Sequence, residues 1–310
     1  MTRPQARAAA GIVIGLAAVA LVAWRAGAFA VGYASSPAHE PCPALSAGDH
    51  LLRIDTSDGV RTVHLHAPRG AYRPMPLVIA LHGAGETGPE FAQDTGFSAL
   101  ADREHFLVAY PSAGGPSAFW NMSGSVEGAP NDVEAIERSL GQLERAACVN
   151  SARVFVTVVS NGGGMTARMG CELSDQLAGI ASVAGGYRAL PPCRPSRPVP
   201  VLEIHGTADQ VVPYAGKPPD YGGSVAKWLA MWRRIDGCKG TAARFTPAVG
   251  VHEIAWRRCA ASTRVEHVRL DGVAHGWPGG SRSDPPPAPF AATWRTWEFF
   301  RSLPSRRPVG

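Results

Sequence analysis

One serine near the middle of the chain stands where a nucleophile is expected. The apolar, β-branched run Val154–Val159 ends at Ser160, and three glycines follow Asn161. A strand that turns sharply into a helix in this way lifts the serine hydroxyl out of a sheet and aims the next N–H groups at a developing oxyanion. The usual pattern is Gly-x-Ser-x-Gly, but here Val158 replaces the first glycine, and its β-branched side chain would crowd the helix packed there. A buried strand before an ordinary glycine-rich helix explains the same segment.

An acid and a base follow the serine in the order that this chemistry needs. A serine nucleophile requires a base to take its proton and an acid to orient that base. Asp209 comes just after the predicted strand Val201–His205, at the strand end where active sites of open α/β sheets are built. His275 lies in the glycine-rich loop Asp271–Gly280, after the last predicted strand. The sequence therefore predicts a catalytic set of Ser160, Asp209 and His275.

Two other histidines also follow Asp209. His252 lies in a segment between two cysteines that we expect to pair, and His267 lies within a predicted strand, on one face of the sheet. Only His275 combines the required order with a loop setting after a strand, so it is the predicted base.

The loop after the apolar run Leu77–Leu81 is the candidate for the second oxyanion donor. It contains His82-Gly83-Ala84-Gly85, whose backbone can approach a substrate closely. We expect the N–H groups of Ala84 and Asn161 to form the oxyanion hole. A flexible turn explains the same residues, and a phosphate-binding loop is disfavoured because the Walker pattern and its lysine are missing.

Short apolar runs alternate with helical patterns in the later part of the chain. This alternation predicts an α/β fold with a mostly parallel sheet of about eight strands and helices on both faces, beginning with an antiparallel hairpin. The predicted strands are Leu51–Asp55, Arg61–His66, Leu77–Leu81, Phe106–Tyr110, Val154–Val159, Ile180–Ala184, Val201–His205 and Arg264–Leu270. Helices are predicted to follow Asn131, Ser160 and Ser224 and to close the chain over Phe290–Leu303.

The first 30 residues have the composition of a leader. Two arginines precede the apolar run Ala8–Trp24, and Ala28-Phe29-Ala30 resembles a small-x-small cleavage site. Arg25 interrupts the approach to that site, so an uncleaved membrane anchor competes with a signal peptide. Either interpretation predicts an exported protein. The predicted organisation is a signal peptide or anchor in 1–30, a connector in 31–50 and a single catalytic domain in 51–310.

Charge and cysteine content narrow the classes of function. The formal net charge of +5 falls to +2 without the leader, which contains three arginines and no acid, so nucleic-acid binding is not expected. No cofactor motif or metal-type Cys/His spacing is present, and we expect neither group. Six cysteines suit disulfides in an exported chain. Cys238 and Cys259 are expected to pair, whereas the pairing of Cys42, Cys148, Cys171 and Cys193 stays open, with buried free thiols as the alternative.

Several short motifs together resemble one family. They are Leu81-His82-Gly83, Leu100-Ala101-Asp102-Arg103, Ala109-Tyr110-Pro111, Trp120-Asn121, Ser160-Asn161-Gly162-Gly163, His205-Gly206-Thr207-Ala208-Asp209 with Val212-Pro213-Tyr214, and His275-Gly276-Trp277-Pro278-Gly279. Over roughly Leu51–Phe300 the chain resembles secreted esterases of the polyhydroxybutyrate (PHB) depolymerase and feruloyl or acetylxylan esterase type. The resemblance implies an α/β-hydrolase fold and ester cleavage through an acyl-enzyme, with Ser160 attacking, His275 moving the proton and Asp209 holding the imidazole.

Two positions depart from the family pattern. The family often has two consecutive aspartates before the helix that precedes the nucleophile strand, and here the pair is Asn131-Asp132. The other departure is Val158, which puts the catalytic rate in doubt. We expect Trp120 and Trp277 to shape an aromatic-friendly acyl pocket, although ordinary core packing explains them equally well.

These observations favour an exported serine carboxylic-ester hydrolase. Its substrates are expected to be feruloyl or acetyl esters or short hydroxyalkanoate oligomers, and we expect a monomer that uses no cofactor or metal. Two alternatives stay open: a binding protein that has lost catalysis, with Val158 as the mark of that loss, and an acyltransferase that uses the same triad.

Overall fold

The computed structural model describes residues 43, 45–115, 117–123, 129–187, 193–217, 223–282 and 290–306. The leader predicted in 1–30, most of the connector and Cys42 lie outside the described residues. Within the described part, none of the helices combines the length and hydropathy that a membrane span needs.

The described strands form one mixed sheet of ten strands, in the order β1-β2-β4-β3-β5-β6-β7-β10-β9-β8. The strands are β1 Gly48–Thr56, β2 Gly59–Ala67, β3 Met75–Leu81, β4 Leu107–Pro111, β5 Val149–Val159, β6 Gly179–Val183, β7 Val201–Gly206, β8 Ala243–Ala248, β9 Val251–Trp256 and β10 Val265–Leu270. The helices are α1 Gly88–Thr95, α2 Phe97–Glu104, α3 Asp132–Ala146, α4 Gly162–Glu172, α5 Val225–Ile235 and α6 Ala292–Arg301.

The centre of the sheet is parallel and its edges are antiparallel. Strands β4, β3, β5, β6, β7 and β10 run parallel to one another. The hairpin β1–β2 joins one side in antiparallel fashion, and β9–β8 extend the other side. The expected count of about eight strands is low, because the segment between Cys238 and Cys259 forms the hairpin β8–β9. Strand β8 is an edge strand with almost every residue exposed, so it carries no apolar signal.

Side chains alternate between two cores because successive strand residues face opposite sides of a sheet. In β3, Leu77 and Ile79 face one core, and Val78 faces the other. The first core lies under α3, α4 and α5, and the second lies under α1, α2 and α6. The expectation of helices on both faces is therefore confirmed.

Disulfides brace the chain away from the carboxyl ends of the parallel strands. One bond joins Cys238 to Cys259, the pair expected from the sequence, and closes the base of the β8–β9 hairpin. A second joins Cys171, near the end of α4, to Cys193. Cys148 is also disulfide-bonded. One pairing that the sequence left open, that of Cys171 with Cys193, is thus settled.

Candidate active site

Ser160 occupies the sharp turn between β5 and α4. Its φ angle is +56°, in the left-handed region that a non-glycine residue rarely adopts. The strained backbone is held by three hydrogen bonds. Ser160 N–H donates to Val183 O at 3.0 Å, and Ser160 O accepts the N–H groups of Gly163 at 2.8 Å and Gly186 at 2.9 Å. The turn therefore keeps its geometry through contacts with α4 and with the loop after β6.

The glycines after Ser160 allow the helix to begin in close contact with its surroundings. A Cβ atom on Gly163 would lie 2.3 Å from Gly185 Cα, and one on Gly164 would lie 2.6 Å from Met122 Sδ. A Cβ atom on Gly162 would lie 2.8 Å from Val158 Cβ. The expected crowding by Val158 is therefore relieved from the helix side, because Gly162 has no side chain for this valine to meet.

The three residues predicted to act together form one hydrogen-bonded line. His275 Nε2 lies 2.8 Å from Ser160 Oγ, and His275 Nδ1 lies 2.7 Å from Asp209 Oδ2. Because the Asp209 carboxylate can only accept, Nδ1 carries the proton and Nε2 is free to accept from the serine hydroxyl. The structure places the other two histidines elsewhere: His252 pairs with Asp271, and His267, buried on β10, pairs with Glu203 of β7.

Asp209 is fixed as a carboxylate. Its Oδ1 accepts the backbone N–H groups of Val211 at 3.0 Å and Val212 at 2.7 Å. Burial by itself raises the pKa of Asp209, but hydrogen bonds from His205 and His275 outweigh burial and hold the pKa well below its ordinary value. The acid is thus charged across the neutral pH range.

The two expected oxyanion donors lie near Ser160. Within the described part of the chain, the N–H groups of Ala84 and Asn161 have no hydrogen-bond acceptor. Both residues line the same cavity as Ser160. A Cβ atom on Gly83 would lie 3.6 Å from Ser160 Cβ, so this loop lies directly beside the nucleophile. Two N–H groups without partners next to a nucleophile are the arrangement that stabilises a tetrahedral oxyanion.

His82 holds that loop in place, a role that sequence reasoning did not assign. Its Nδ1 lies 2.6 Å from Gly83 O, and its Nε2 accepts the N–H of Ala113 at 3.0 Å. Burial lowers the pKa of His82, which agrees with a neutral ring that donates from one nitrogen and accepts at the other. The Trp120 indole N–H donates to His82 O at 2.9 Å and ties the loop to the next wall of the site.

The segment that carries Trp120 is anchored from two sides. Asn161 Oδ1 accepts the N–H of Trp120 at 2.8 Å, so the residue after the nucleophile also positions this wall. Asp132 Oδ2 accepts the N–H of Asn121 at 2.6 Å, while its Oδ1 pairs with Arg61 at 3.0 Å. Asp132 belongs to the pair Asn131-Asp132, which departs from the family pattern. Through these contacts it helps to hold the segment of Trp120 in position.

A cavity of about 490 Å³ opens beside Ser160. Phe119, Trp120 and Met122 contribute to its wall, together with Asn121 and small residues. None of its described lining residues carries a charged side chain. The cavity thus suits a neutral group with apolar or aromatic character.

A second cleft of about 360 Å³ opens on another side of Ser160. His275 lines it, as do the charged residues Glu86, Asp94 and Arg282. Trp277 borders this cleft and not the larger cavity. Trp277 is only 1% exposed and its ring packs edge-on against Phe91 at 5.4 Å, as the alternative of ordinary core packing expects. Its role in an acyl pocket shared with Trp120 stays a prediction.

Comparison with known proteins shows the family of this chain. A family model described as esterase PHB depolymerase matches residues 61–187. A protein named as an esterase, NocK of Nocardia uniformis subsp. tsuyamanensis, is 30% identical over 266 residues, which cover 77% of each chain. The chain belongs to the PHB depolymerase family of esterases. This protein is thus an ester hydrolase. The family resemblance that its sequence motifs indicated is confirmed.

Two further relatives carry names of related esterases. The bifunctional acetylxylan esterase/xylanase XynS20E of Neocallimastix patriciarum is 26% identical over 69% of this chain and 31% of its own length. Feruloyl esterase B of Piromyces equi is 27% identical over 66% of this chain and 40% of its own length. The chain thus spans well under half of these two relatives, although it spans 77% of NocK.

Solved structures show the same fold. The acetyl xylan esterase from Aspergillus awamori superposes with a TM-score of 0.59 at 18% identity, covering 81% of this chain and 99% of its own. The poly(aspartic acid) hydrolase-1 from Sphingomonas sp. KT-1 gives a TM-score of 0.57 at 14% identity over 84% of this chain and 99% of its own. The α/β-hydrolase fold expected from the sequence is confirmed.

Proposed function

We propose that this protein is an exported serine carboxylic-ester hydrolase that works through an acyl-enzyme. The observation that carries the proposal is the hydrogen-bonded line from Ser160 Oγ through His275 to Asp209, at 2.8 Å and 2.7 Å. A complete line of this kind supports catalysis over a binding protein that has lost it, in spite of Val158.

Acylation follows from this geometry. His275 Nε2 takes the hydroxyl proton as Ser160 Oγ forms a bond to the carbonyl carbon of the ester. The carbonyl oxygen becomes negative and accepts the N–H groups of Ala84 and Asn161. Asp209 stabilises the imidazolium that forms. When the carbon–oxygen bond to the alcohol breaks, Nε2 returns its proton to the departing alcohol oxygen.

Deacylation uses the same groups in reverse. Water takes the place of the alcohol and gives a proton to His275 Nε2 as its oxygen attacks the acyl carbon. The tetrahedral intermediate then breaks its bond to Ser160 Oγ, which regains the proton from Nε2. A carboxylic acid leaves, and the free serine is restored.

The two openings divide the substrate between them. The departing alcohol must lie where His275 can protonate it, and among the described residues His275 borders the second cleft and not the larger cavity. The acyl group is therefore placed in the larger cavity. An uncharged wall with Phe119 and Trp120 suits a feruloyl or acetyl group, or the apolar acyl part of a short hydroxyalkanoate oligomer. Polar side chains around the second cleft suit an alcohol that carries hydroxyl groups.

Export is supported by the disulfides. The bonds Cys171–Cys193 and Cys238–Cys259 are stable in oxidising compartments, and cytosolic thiols are normally kept reduced. A leader at residues 1–30, cleaved or kept as an anchor, would provide the route. We infer a secreted or periplasmic location.

A fluorophosphonate probe tests the mechanism. Wild-type protein should be labelled with a stoichiometry near one, and Ser160→Ala should not be labelled at all. A folded wild-type protein that resists the probe would contradict the serine mechanism. A panel of methyl ferulate, acetylated xylan, p-nitrophenyl butyrate and hydroxybutyrate oligomers then identifies the ester class. The same reactions with a competing alcohol acceptor distinguish hydrolysis from acyl transfer.

A further inference from the structure

A buried carboxylate that the mechanism above does not use lies beneath the triad. Glu203, on β7, is fully buried. Tyr187 Oη donates to its Oε1 at 2.9 Å, and His205 Nδ1 lies 3.0 Å from the same oxygen. His267 Nδ1 lies 2.5 Å from Oε2. A buried carboxylate is strongly destabilising unless such partners compensate it, so Glu203 is part of a built network.

The hydrogen-bond pattern fixes the charge of His205. Its Nδ1 faces the Glu203 carboxylate, and its Nε2 faces Val212 O at 2.9 Å and Asp209 Oδ2 at 3.3 Å. All three of these oxygens are acceptors. A ring nitrogen that faces only acceptors must carry a proton, so both nitrogens of His205 are protonated and the ring is an imidazolium.

The electrostatic environment agrees with this assignment. Burial lowers the pKa of His205, but hydrogen bonds to Asp209 and Glu203 outweigh burial and raise the pKa to about 10. Burial raises the pKa of Glu203, yet the charges and hydrogen bonds of His267 and His205 lower it to about 2. The His205 imidazolium thus lies between the carboxylates of Glu203 and Asp209 throughout the neutral pH range.

We propose that His205 is a positioning residue, a lasting imidazolium that Glu203 keeps charged and that holds Asp209 in the orientation His275 requires. The proposal rests on the serine mechanism proposed above. Asp209 Oδ2 receives both His275 and His205, while Oδ1 receives two backbone N–H groups. His205 also fixes Val212 O, so the same ring sets the acid and the loop that carries it.

The other groups packed around His205 do not change its charge. The Tyr187 ring lies 6.5 Å from the His205 ring between centroids, and the Tyr214 ring lies 5.8 Å away, edge-on. Burial raises the pKa of Tyr187 well above its ordinary value and that of Tyr214 to about 12, so both phenols are neutral. His267 contacts Oε2 of Glu203, whereas His205 contacts Oε1. The two carboxylates therefore control the proton on His205.

The pH profile of Glu203→Gln tests the proposal. This variant keeps the shape of the side chain and removes the charge that holds the proton on His205. The profile of kcat/KM for wild type should be flat between about pH 7 and 9, whereas Glu203→Gln should gain a descending limb there as His205 becomes neutral. At the upper end kcat should fall by about tenfold to a hundredfold, with KM changed little.

His267→Gln is the matched control, because His267 is equally buried and contacts the same carboxylate but does not contact Asp209. It should lower the melting temperature and leave the shape of the pH profile as in wild type. If Glu203→Gln keeps the flat profile with kcat within about twofold of wild type, or if both variants gain the same limb, the positioning role of His205 is refuted.

Nitrogen-15 NMR of the wild-type protein provides a measurement that needs no variant to fold. With the His205 ring assigned by through-bond correlation, both of its nitrogens should carry protons at pH 8. A neutral ring at that pH overturns the proposal. Failure of the serine mechanism would appear separately, as a wild-type protein that the fluorophosphonate probe does not label.

Discussion

Replacing Gly162 by alanine should destabilise the protein when Val158 is present and stabilise it when Val158 is replaced by glycine. The two residues are in contact beneath the nucleophile turn, and an alanine Cβ at 162 would lie 2.8 Å from Val158 Cβ. The optimum separation of two carbon atoms is about 3.5–4.0 Å, so this contact is strongly repulsive. Gly162 does not have a positive φ, so its backbone accepts alanine and the clash alone decides the effect.

The single changes can be estimated from the structure. Gly162→Ala overpacks a closed core, which costs about 1–3 kcal/mol of unfolding free energy. Val158→Gly removes a fully buried side chain, at about 1.5–3 kcal/mol. A glycine within a strand costs a further 0.5–1 kcal/mol, roughly, through its greater freedom in the unfolded chain. Each single variant should therefore have a lower melting temperature.

The effect of Gly162→Ala on the free energy of unfolding should change sign when Val158 is also replaced by glycine. With glycine at 158 the alanine methyl at 162 enters the space that the valine left, and alanine is favoured over glycine in a helix by roughly 0.5–1 kcal/mol. The coupling free energy between the two positions is then roughly 1.5–4 kcal/mol. Val156→Gly is the matched control, because Val156 is buried in the same strand and core, and the atoms nearest to a Cβ at 162 belong to other residues.

Chemical denaturation of the four proteins of the cycle measures the coupling, and titration with a fluorophosphonate counts active sites so that turnover is expressed per folded molecule. Turnover of Val158→Gly should stay close to wild type, because the Ser160 turn is held by Val183, Gly163 and Gly186. Additive effects of the two changes would refute the packing argument. A tenfold loss of turnover in folded Val158→Gly would instead make this valine a working part of the site.

Three further predictions concern the chemistry and the buried charges. Ser160→Ala should keep its melting temperature and lose about 10⁴–10⁶ in kcat, and esterase activity retained by the folded variant would reject the nucleophile. Asn161→Ala keeps the oxyanion N–H but removes the side-chain oxygen that accepts the N–H of Trp120. Steady-state kinetics should show KM for aromatic esters rising several-fold and KM for acetyl esters changing less. Because the pKa of Glu203 lies near 2 in the folded protein and near 4.5 when unfolded, its contribution to stability is present above about pH 4.5 and is lost as the pH falls toward 2. Denaturation between pH 7 and pH 3 should therefore show a weaker acid dependence for Glu203→Gln, and an unchanged dependence would contradict the low pKa.

The parallel core and the triad could be predicted because their signals are local. Strand β3 is a short, wholly apolar run, β5 ends in a mostly apolar one, and each triad residue follows a strand of the parallel part of the sheet. Parallel strands present their carboxyl ends at one edge of a sheet, so chain order alone brings Ser160, Asp209 and His275 together. Strand β8 could not be predicted in the same way. It is an exposed edge strand without a buried face, so its sequence has no regular alternation of apolar and polar residues.

Other parts of the site depend on contacts between residues far apart in the chain. His82 reaches Ala113, and Asn161 reaches Trp120, so neither role is visible in a local motif. Sequence order also does not tell that Trp120 and Trp277 border different openings beside Ser160. The helices α1 and α2 have only eight residues each, too few for a clear apolar period.

The separate openings beside Ser160 have a consequence for how this scaffold can change. Most of the described residues that wall the larger cavity are 114, 115, 117, 119–123, 129 and 130, and most of those around the cleft are 83, 84, 86, 94, 275–277 and 282. Apart from Ala84, Ser160 and Val211, their described lining residues are different. With the acyl group in the larger cavity and the alcohol in the cleft, as proposed above, selection on the acyl half of an ester acts on one stretch of chain, and selection on the alcohol half acts on others. Specificity for the acyl half and specificity for the alcohol half can therefore evolve independently, in nature or by directed evolution. Recombination between variants can then combine the two specificities without changing the triad.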